Sequence, residues 1–218
     1  KRLTGRMVAI NLEPAAISED AEKDPVWSLT EGRRATVENA KKAADMGVDM
    51  IILTGNPGIG VSNHAIVHAL TELKEAVGDR VILTAGKMHA AGIISEGGEN
   101  ILTETYVDAF IDAGADILLL PAPGTVPGIT MEYAHKLIAR AHAKGALAMT
   151  TIGTSQEGAD EATIREIALM CKMAGADIHH IGDSGYMGMA IPDNITAYSV
   201  AIRGKRHTYR RMAMSLLR

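Results

Sequence analysis

The sequence predicts an α/β fold of the TIM type, a (β/α) barrel, in a single domain over residues 1–218. The first observation is a repeat: a glycine precedes a short aliphatic strand pattern at positions 47, 78, 114, 145 and 175, at intervals of 31, 36, 31 and 30 residues. Each interval is about the length of one strand-plus-helix unit. The second observation is a hydrophobic fraction of 47% with only 3% aromatic residues, which is typical of parallel strands buried on both faces. A regular repeat in 218 residues favours one domain.

Six strand segments can be placed along the chain. They cover residues 7–13, 49–54, 81–86, 117–121, 147–152 and 177–182. Polar residues stand at the C-terminal end of nearly every strand, which favours a barrel because a doubly wound sheet gathers its site at one switch point. An open parallel sheet is the alternative. The sequence starts at Lys1 without a methionine, so we expect two N-terminal βα units to precede it, with six of eight units visible.

Residues that favour helix starts separate the strands. They are Thr36, Ser62 or Asn63, Thr103, Thr130, Asp160 and Pro192. Between the first strand and the first helix, the hydrophilic run 18–24 predicts a loop that either covers a site or is a surface insertion.

Charge and composition restrict the expected partners. The net charge of −4 gives no reason to expect nucleic acid or an anionic membrane surface, and no apolar run reaches the ~18 residues of a membrane span. The basic residues within 203–211 are interpreted as a solvated helix face. The lone Cys171 cannot form an internal disulfide, so we expect a cytoplasmic protein. Its expected partners are a small-molecule substrate and further copies of itself, since exposed edge strands need covering.

Candidate functional residues follow the strands, at the C-terminal end of the predicted barrel. Those with acid, base or nucleophile chemistry are Glu13, Lys87, His89, His180 and Asp183, and those suited to hold an anion or substrate are Asn56, Thr151, Gly153, Thr154, Ser155 and Gly182. Hydroxyl groups and glycine N–H groups after a strand suit an oxyanion, and barrels often hold a phosphate after their last two strands.

The chemistry of these residues leaves alternatives open. Lysine is rare at the end of a buried strand, so Lys87 is expected either to act in catalysis, as a Schiff-base amine or charge stabiliser, or to form a structural ion pair. Strand alternation lets only one of His179 and His180 face the barrel. Glu13, His89 and His180 could bind a divalent metal such as Mg²⁺, although their spacing is not diagnostic. The cofactor is otherwise unknown, and hydride transfer is disfavoured because no dinucleotide fingerprint is present.

The segments at the strand ends resemble a known family. They are Asn11-Leu12-Glu13-Pro14, Leu53-Thr54-Gly55-Asn56-Pro57-Gly58, Ala85-Gly86-Lys87-Met88-His89-Ala90-Ala91-Gly92, residues 120–128, residues 152–160 and residues 176–183. Together they resemble uncharacterised bacterial TIM-barrel proteins that are labelled phosphoenolpyruvate phosphonomutase-like or haloacid-dehalogenase-like hydrolases. The resemblance implies a TIM-type barrel with further N-terminal residues. The acidic magnesium cluster of the phosphonomutases and the Asp-x-Asp strand end of the dehalogenases are not found in the sequence.

These observations predict an enzyme. We expect a lyase or isomerase that acts on a small phosphorylated or carboxylated metabolite at the C-terminal face of the barrel. Two alternatives stay open: a catalytically silent barrel that binds a metabolite or partner, and a metal-dependent hydrolase.

Overall fold

Six parallel strands pair in the order in which they occur along the chain. The computed structural model describes residues 5–15, 29–89, 93–182 and 189–214. The strands are β1 (Ala9–Leu12), β2 (Met50–Leu53), β3 (Ile82–Gly86), β4 (Ile117–Pro121), β5 (Leu147–Ile152) and β6 (Ile178–Ile181). The α-helices are α1 (Val37–Asp45), α2 (Asn63–Val77), α3 (Glu104–Asp112), α4 (Met131–Ala143), α5 (Glu161–Ala174) and α6 (Pro192–Ala213).

The strand order decides between the two predicted architectures. A doubly wound sheet reverses its order at a switch point, whereas here each strand lies beside its predecessor from β1 to β6. The sheet is curled as part of a barrel and carries the helices on its outside. The prediction of a TIM-type α/β fold is therefore confirmed, and the open doubly wound sheet is not adopted. The predicted loop 18–24 lies outside the described residues.

The two faces of the sheet bury different clusters. On the helix side, Leu53, Leu83 and Leu118 belong to a large aliphatic core shared with the helices. On the opposite side, which we call the barrel side, the buried residues Met50, Ile117, Leu119 and Met149 pack with Ile52, Ile82, Met88 and Ile178. Alternation along each strand assigns its remaining residues to one side or the other.

Most helices begin where the sequence predicts. Thr36, Ser62, Thr130 and Asp160 each accept a hydrogen bond from a backbone N–H of the first helical turn, as expected for N-caps. Thr103 precedes α3 but makes no capping side-chain bond. The last helix, α6, starts with Pro192, as predicted, and kinks where Gly204 has a φ of 76°.

The repeated Gly-x-Asp pattern has one structural role in all three of its copies. Asp49 accepts a hydrogen bond from the Val8 N–H at 3.0 Å, Asp116 from Leu83 at 2.9 Å and Asp177 from Ala148 at 2.8 Å. In return, the backbone N–H of each aspartate donates to the carbonyl of the same partner. Each aspartate thus fastens the N-terminal end of its own strand to the strand before it.

The two ends of the described chain contact each other. The Arg6 guanidinium donates to the Arg211 carbonyl at 2.5 Å and to the Met212 carbonyl at 3.2 Å, both in the last turn of α6. A cation is favourable at the C-terminal end of a helix. In α6 itself, the basic residues of 203–211 are exposed. No helix among the described residues is long and apolar enough to cross a lipid bilayer.

Candidate functional site

Lys87 lies at the C-terminal end of β3 and is fully buried. Its ammonium group pairs with the carboxylate of Glu96, in the short 3-10 turn Ile94–Glu96. The preceding residue must be a glycine, because a Cβ on Gly86 would stand 1.8 Å from the Leu119 carbonyl oxygen. If the alternation of β3 is continued by one residue, Lys87 falls on the helix side, like Ala85, whereas Met88 packs on the barrel side. The predicted structural ion pair is present, and the catalytic role of Lys87 stays a prediction.

Glu13 follows β1 and is only 3% exposed. Its carboxylate pairs with the Arg33 guanidinium, and its main chain bonds to both Arg33 and Ala35. A Cβ on Gly55 would approach the Glu13 Cγ to 3.3 Å and a Val61 methyl to 2.7 Å. The strand end of β2 therefore needs a glycine to make room for Glu13 and Val61.

Asn56 has a local structural role in the glycine-rich turn after β2. Its side-chain oxygen accepts a hydrogen bond from the Gly58 N–H at 2.8 Å and caps the short 3-10 turn Pro57–Ile59. The helix α2 begins only after this turn, with Ser62 as its cap. Asn56 therefore lies at the predicted strand end, but its side-chain oxygen already bonds to the protein.

The loop after β5 contains the main deviation from ordinary backbone geometry. Thr154 and Ser155 have φ angles of 58° and 73°, and both are exposed. Left-handed geometry is uncommon for a β-branched residue, and such strain often occurs at functional sites. The Thr154 hydroxyl donates to the Thr125 carbonyl at 2.9 Å. Gly153 lies under the Met88 methyl group, which a Cβ would approach to 2.7 Å.

Thr151 is inside the sheet rather than in this loop. It is fully buried, and its hydroxyl donates to the Leu120 carbonyl at 3.0 Å. In the register of β5 and β6, Thr151 lies opposite His180. These two candidates are therefore neighbours, with Met149 and Ile178 of the same pair of strands on the same side.

The two adjacent histidines of β6 point to opposite sides, as predicted. His179 lies on the helix side, where its Nδ1 is 2.9 Å from the Tyr198 hydroxyl. Burial, and then the charge of Arg203, hold the pKa of His179 below its ordinary value. His180 takes the other side by alternation and faces the barrel. Gly182 has a φ of 83° and donates its N–H to the Ile152 carbonyl at 2.9 Å, and Asp183 lies outside the described residues.

The residues considered for a metal do not form a ligand set. Within the described ranges, no three His, Cys, Asp or Glu side chains come together in a way that could hold a metal ion. Glu13, His89 and His180 therefore do not fit the divalent metal site that the sequence left open. His89 is half-buried after the end of β3.

The sequence matches a protein family over its whole length. The family is described as a domain of unknown function (DUF7916), and the match covers residues 1–218. The chain belongs to the DUF7916 family. No curated protein matches the sequence.

Solved structures with the fold of this DUF7916 chain include several aldolases. A deoxyribose phosphate aldolase from Aeropyrum pernix, described as tetrameric, is 15% identical, with a TM-score of 0.58 over 97% of this chain and 74% of that chain. A putative deoxyribose-phosphate aldolase from Coccidioides immitis is 12% identical, with a TM-score of 0.58 over 89% of this chain and 66% of that chain. The aldolase QR15 is 12% identical, with a TM-score of 0.57 over 91% of this chain and 76% of that chain.

At these identities the comparisons establish the fold of the DUF7916 chain. They do not support the phosphonomutase and haloacid-dehalogenase names that the sequence resemblance implied. Each of these three neighbours is described as an aldolase.

Two features of the DUF7916 site were missed from the sequence. The first is Glu96, the partner of Lys87, which lies in a loop that also contains Glu99. A buried lysine signals that a carboxylate is near, but the sequence does not say which one. The second is Thr84, a threonine within the aliphatic strand β3 whose hydroxyl has no partner among the described residues.

Proposed function

We propose that this DUF7916 chain is an aldolase-type lyase that forms a Schiff base between Lys87 and a small phosphorylated or carboxylated carbonyl compound. The observation that carries the proposal is the fully buried Lys87 with the Glu96 carboxylate as its ion-pair partner. A buried ammonium group beside one carboxylate has a proton acceptor within reach, and nucleophilic lysines need one to become neutral amines.

The proposed reaction starts with a proton transfer from the Lys87 ammonium group to the Glu96 carboxylate. The neutral amine then attacks the carbonyl carbon and gives a carbinolamine. Glu96 returns its proton to the carbinolamine hydroxyl, which leaves as water as a protonated imine forms. A base then removes the proton of the hydroxyl group on the β-carbon, and the bond between the α- and β-carbons breaks. Its electron pair moves into the imine to give an enamine, while the β-carbon leaves in a carbonyl compound, the first product. Protonation of the enamine carbon and hydrolysis of the imine release the second product and restore the lysine. Because Lys87 is fully buried, the carbonyl reaches it only when the Ile94–Glu96 turn moves.

The remaining candidates have supporting roles in this proposal. His180 and His89 act as acid and base, with Glu13 and Asp183 as further proton acceptors. The strained turn of Thr154 and Ser155, together with Gly153 and Gly182, holds the anionic end of the substrate, while Asn56 and Thr151 line the site. We also infer a cytoplasmic homo-oligomer, in line with the tetramer described for the Aeropyrum pernix aldolase.

Borohydride trapping tests the proposal directly. The protein is incubated with pyruvate, glyceraldehyde 3-phosphate or deoxyribose 5-phosphate, reduced with borohydride and digested for mass spectrometry. We expect a reduced adduct on Lys87, its loss in Lys87→Met, and its retention in Lys74→Met. Lys74 is the matched control, since it also pairs with a carboxylate, Asp116, at 2.9 Å but is 39% exposed. No adduct with any of these compounds, or unchanged turnover in Lys87→Met, contradicts the proposal.

The same ion pair supports a second candidate, a catalytically silent barrel that binds a metabolite. In that case Lys87 and Glu96 neutralise each other permanently and hold the loop after β3 in place. This candidate predicts binding of a metabolite without adduct formation, so the trapping experiment separates the two.

A further inference from the structure

Three polar side-chain atoms at the first three strands have no hydrogen-bond partner among the described residues. They are Asn11 Oδ1 of β1, Thr54 Oγ1 just after β2, and Thr84 Oγ1 of β3. Thr84 is fully buried and Thr54 is 7% exposed. Buried polar atoms are nearly always hydrogen-bonded in native proteins, so three such atoms in one part of the sheet call for an explanation.

The strand register places these residues on one wall. Asn11 and Thr84 both lie opposite Ile52, one from each side, and Ile52 packs in the barrel-side cluster. Thr54 comes two residues after Ile52, just past the end of β2, so alternation along the chain puts its side chain on the same side as that of Ile52. The three side chains therefore belong to the barrel side, along β1 to β3. We call them the polar wall.

A second threonine on the barrel side provides a comparison for the polar wall. The hydroxyl of Thr151 on β5 donates to the Leu120 carbonyl of the neighbouring strand β4, at 3.0 Å. Thr150 lies on the helix side, and its hydroxyl also has no hydrogen-bond partner among the described residues. On the barrel side, the buried hydroxyl of Thr151 thus has a protein partner, whereas that of Thr84 has none among the described residues.

The side chains of the polar wall are suited to binding neutral hydroxyl groups of a ligand. An amide oxygen accepts a hydrogen bond, and a threonine hydroxyl both donates and accepts. None of the three carries a positive charge, and the nearest charged group along β1 is the Glu13 carboxylate, which is paired with Arg33. A phosphate or carboxylate could accept from the two threonine hydroxyls but not from the Asn11 amide oxygen, and it would find no positive charge on the wall, whereas a hydroxyl group can bond to all three side chains.

We infer that the polar wall binds the hydroxyl groups of a polyhydroxylated, sugar-like carbon chain, and that the ligand is the phosphate ester of such a chain. The phosphate assignment rests on the proposed function, which puts the anionic end of the substrate at the Thr154–Ser155 turn. The wall itself does not depend on Lys87. This narrows the substrate class from any phosphorylated or carboxylated metabolite to phosphorylated polyols and sugars.

Paired ligands without a carbonyl group test the inference apart from any Schiff-base chemistry. Glycerol 3-phosphate is compared with propyl phosphate, and ribitol 5-phosphate with pentyl phosphate, by calorimetric titration of the whole chain. Each pair shares a phosphate and a carbon chain and differs in its hydroxyls. We expect at least one hydroxylated ligand to bind about tenfold more tightly than its alkyl counterpart, because an alkyl chain leaves the wall unpaired.

The variants Thr84→Val and Thr208→Val provide a matched comparison, since Thr208 on α6 is also buried and its hydroxyl lies 3.1 Å from that of Ser199. Both remove a buried hydroxyl at constant shape. In Thr84→Val we expect the preference for the hydroxylated ligand to fall about five- to tenfold, while the melting temperature stays the same or rises, because no protein hydrogen bond is lost. In Thr208→Val, which loses a hydrogen bond in the helix layer, we expect the opposite: a lower melting temperature and an unchanged preference.

Three results overturn the inference. The first is equal affinity for hydroxylated and alkyl phosphates, or no binding of either. The second is an unchanged preference in Thr84→Val. The third is a loss of stability in Thr84→Val as large as that in Thr208→Val. Failure of the proposed function has a different signature, namely the absence of a borohydride-trapped adduct on Lys87. Since the paired ligands cannot form an imine, either idea can fail while the other stands.

Discussion

The two ends of the sheet are built in different ways. At the N-terminal end, the same aspartate recurs before β2, β4 and β6, and each copy accepts from a backbone N–H at 2.8 to 3.0 Å. At the C-terminal end the strands finish differently: β3 leads into a buried lysine, β5 leads into a left-handed turn, and β6 itself contains two adjacent histidines.

This contrast separates stability from function. A repeated, hydrogen-bonded residue at the N-terminal end is what a barrel needs to fix its strands, whereas variation at the C-terminal end is where barrel enzymes place their chemistry. Changes at the N-terminal end should therefore lower stability without affecting ligands. Changes at the C-terminal end should affect ligands, and should lower stability only where a buried charge loses its partner.

The largest effect on stability is expected at the C-terminal end, from Glu96→Gln. This change leaves the Lys87 ammonium group buried without a carboxylate, and breaking a buried pair in this way costs about 3 kcal/mol of the free energy of unfolding. Because the Glu96 side chain is 28% exposed, water can reach the unpaired charge, so we expect the loss in the free energy of unfolding not to exceed this figure of about 3 kcal/mol.

Lys87→Met is the matched change, since it removes the charge itself and should cost less than Glu96→Gln. Urea unfolding of both single variants and of the double variant measures the coupling between the two residues. If Glu96→Gln is as stable as the unchanged protein, Glu96 is not the partner on which Lys87 depends, and the proposed proton transfer loses its acceptor.

The fold could be read from the sequence because it is encoded locally. All six strands lie within about two residues of their predicted bounds, since each combines a preceding glycine with an aliphatic run. The caps Thr36, Ser62, Thr130 and Asp160 were equally visible, because capping acts within one helical turn. The parallel order of the strands followed from the regular interval of the repeat.

The site could be predicted only in part, because its contacts depend on how distant segments meet. Lys87 and His180 stood out as unusual residues at strand ends, but Glu96 was missed because a loop path is not encoded by periodicity. Asn56 was predicted to bind a ligand, which stays a prediction, and the bond from its side-chain oxygen to the Gly58 N–H of its own turn was not foreseen. Thr84 looked like an ordinary strand residue, and only the packing around it shows that its hydroxyl has no partner among the described residues.

An intermediate effect is expected at the N-terminal end, from Asp177→Ala. The pKa of Asp177 lies below its ordinary value. Burial alone would raise this pKa, but the hydrogen bonds from the His142 ring at 2.7 Å and from the Ala148 N–H lower it by more than burial raises it. A carboxylate with a lowered pKa in the folded state stabilises the protein above its unfolded pKa, and that stabilisation is lost as the pH falls through the folded value.

Asp177→Ala should therefore lower the free energy of unfolding by about 1 kcal/mol at pH 7, a modest figure because the side chain is partly exposed. The difference from the unchanged protein should shrink below about pH 4, where the unfolded carboxyl group takes up its proton. Thermal unfolding from pH 3 to pH 7 measures it, with the exposed Asp45→Ala as control. A difference that stays constant with pH would mean that the charge of Asp177 contributes nothing.

The smallest effect is expected between the two ends, at Tyr198→Phe. Burial raises the pKa of the Tyr198 phenol and lowers that of His179, so both are neutral at pH 7 and their contact is an ordinary hydrogen bond of 2.9 Å. Its loss should cost about 0.5 kcal/mol of the free energy of unfolding, at the low end for a hydrogen bond between neutral groups, with the exposed Tyr209→Phe as control.

Because His179 faces the helices and His180 the barrel, Tyr198→Phe should leave the ligand preference and any turnover unchanged. A tenfold loss of turnover at unchanged stability would mean that the helix side of β6 positions His180. In that case function would not depend on the C-terminal end of the sheet alone. It would also depend on the helix layer, because a hydroxyl on α6 would control a side chain on the opposite side of the sheet.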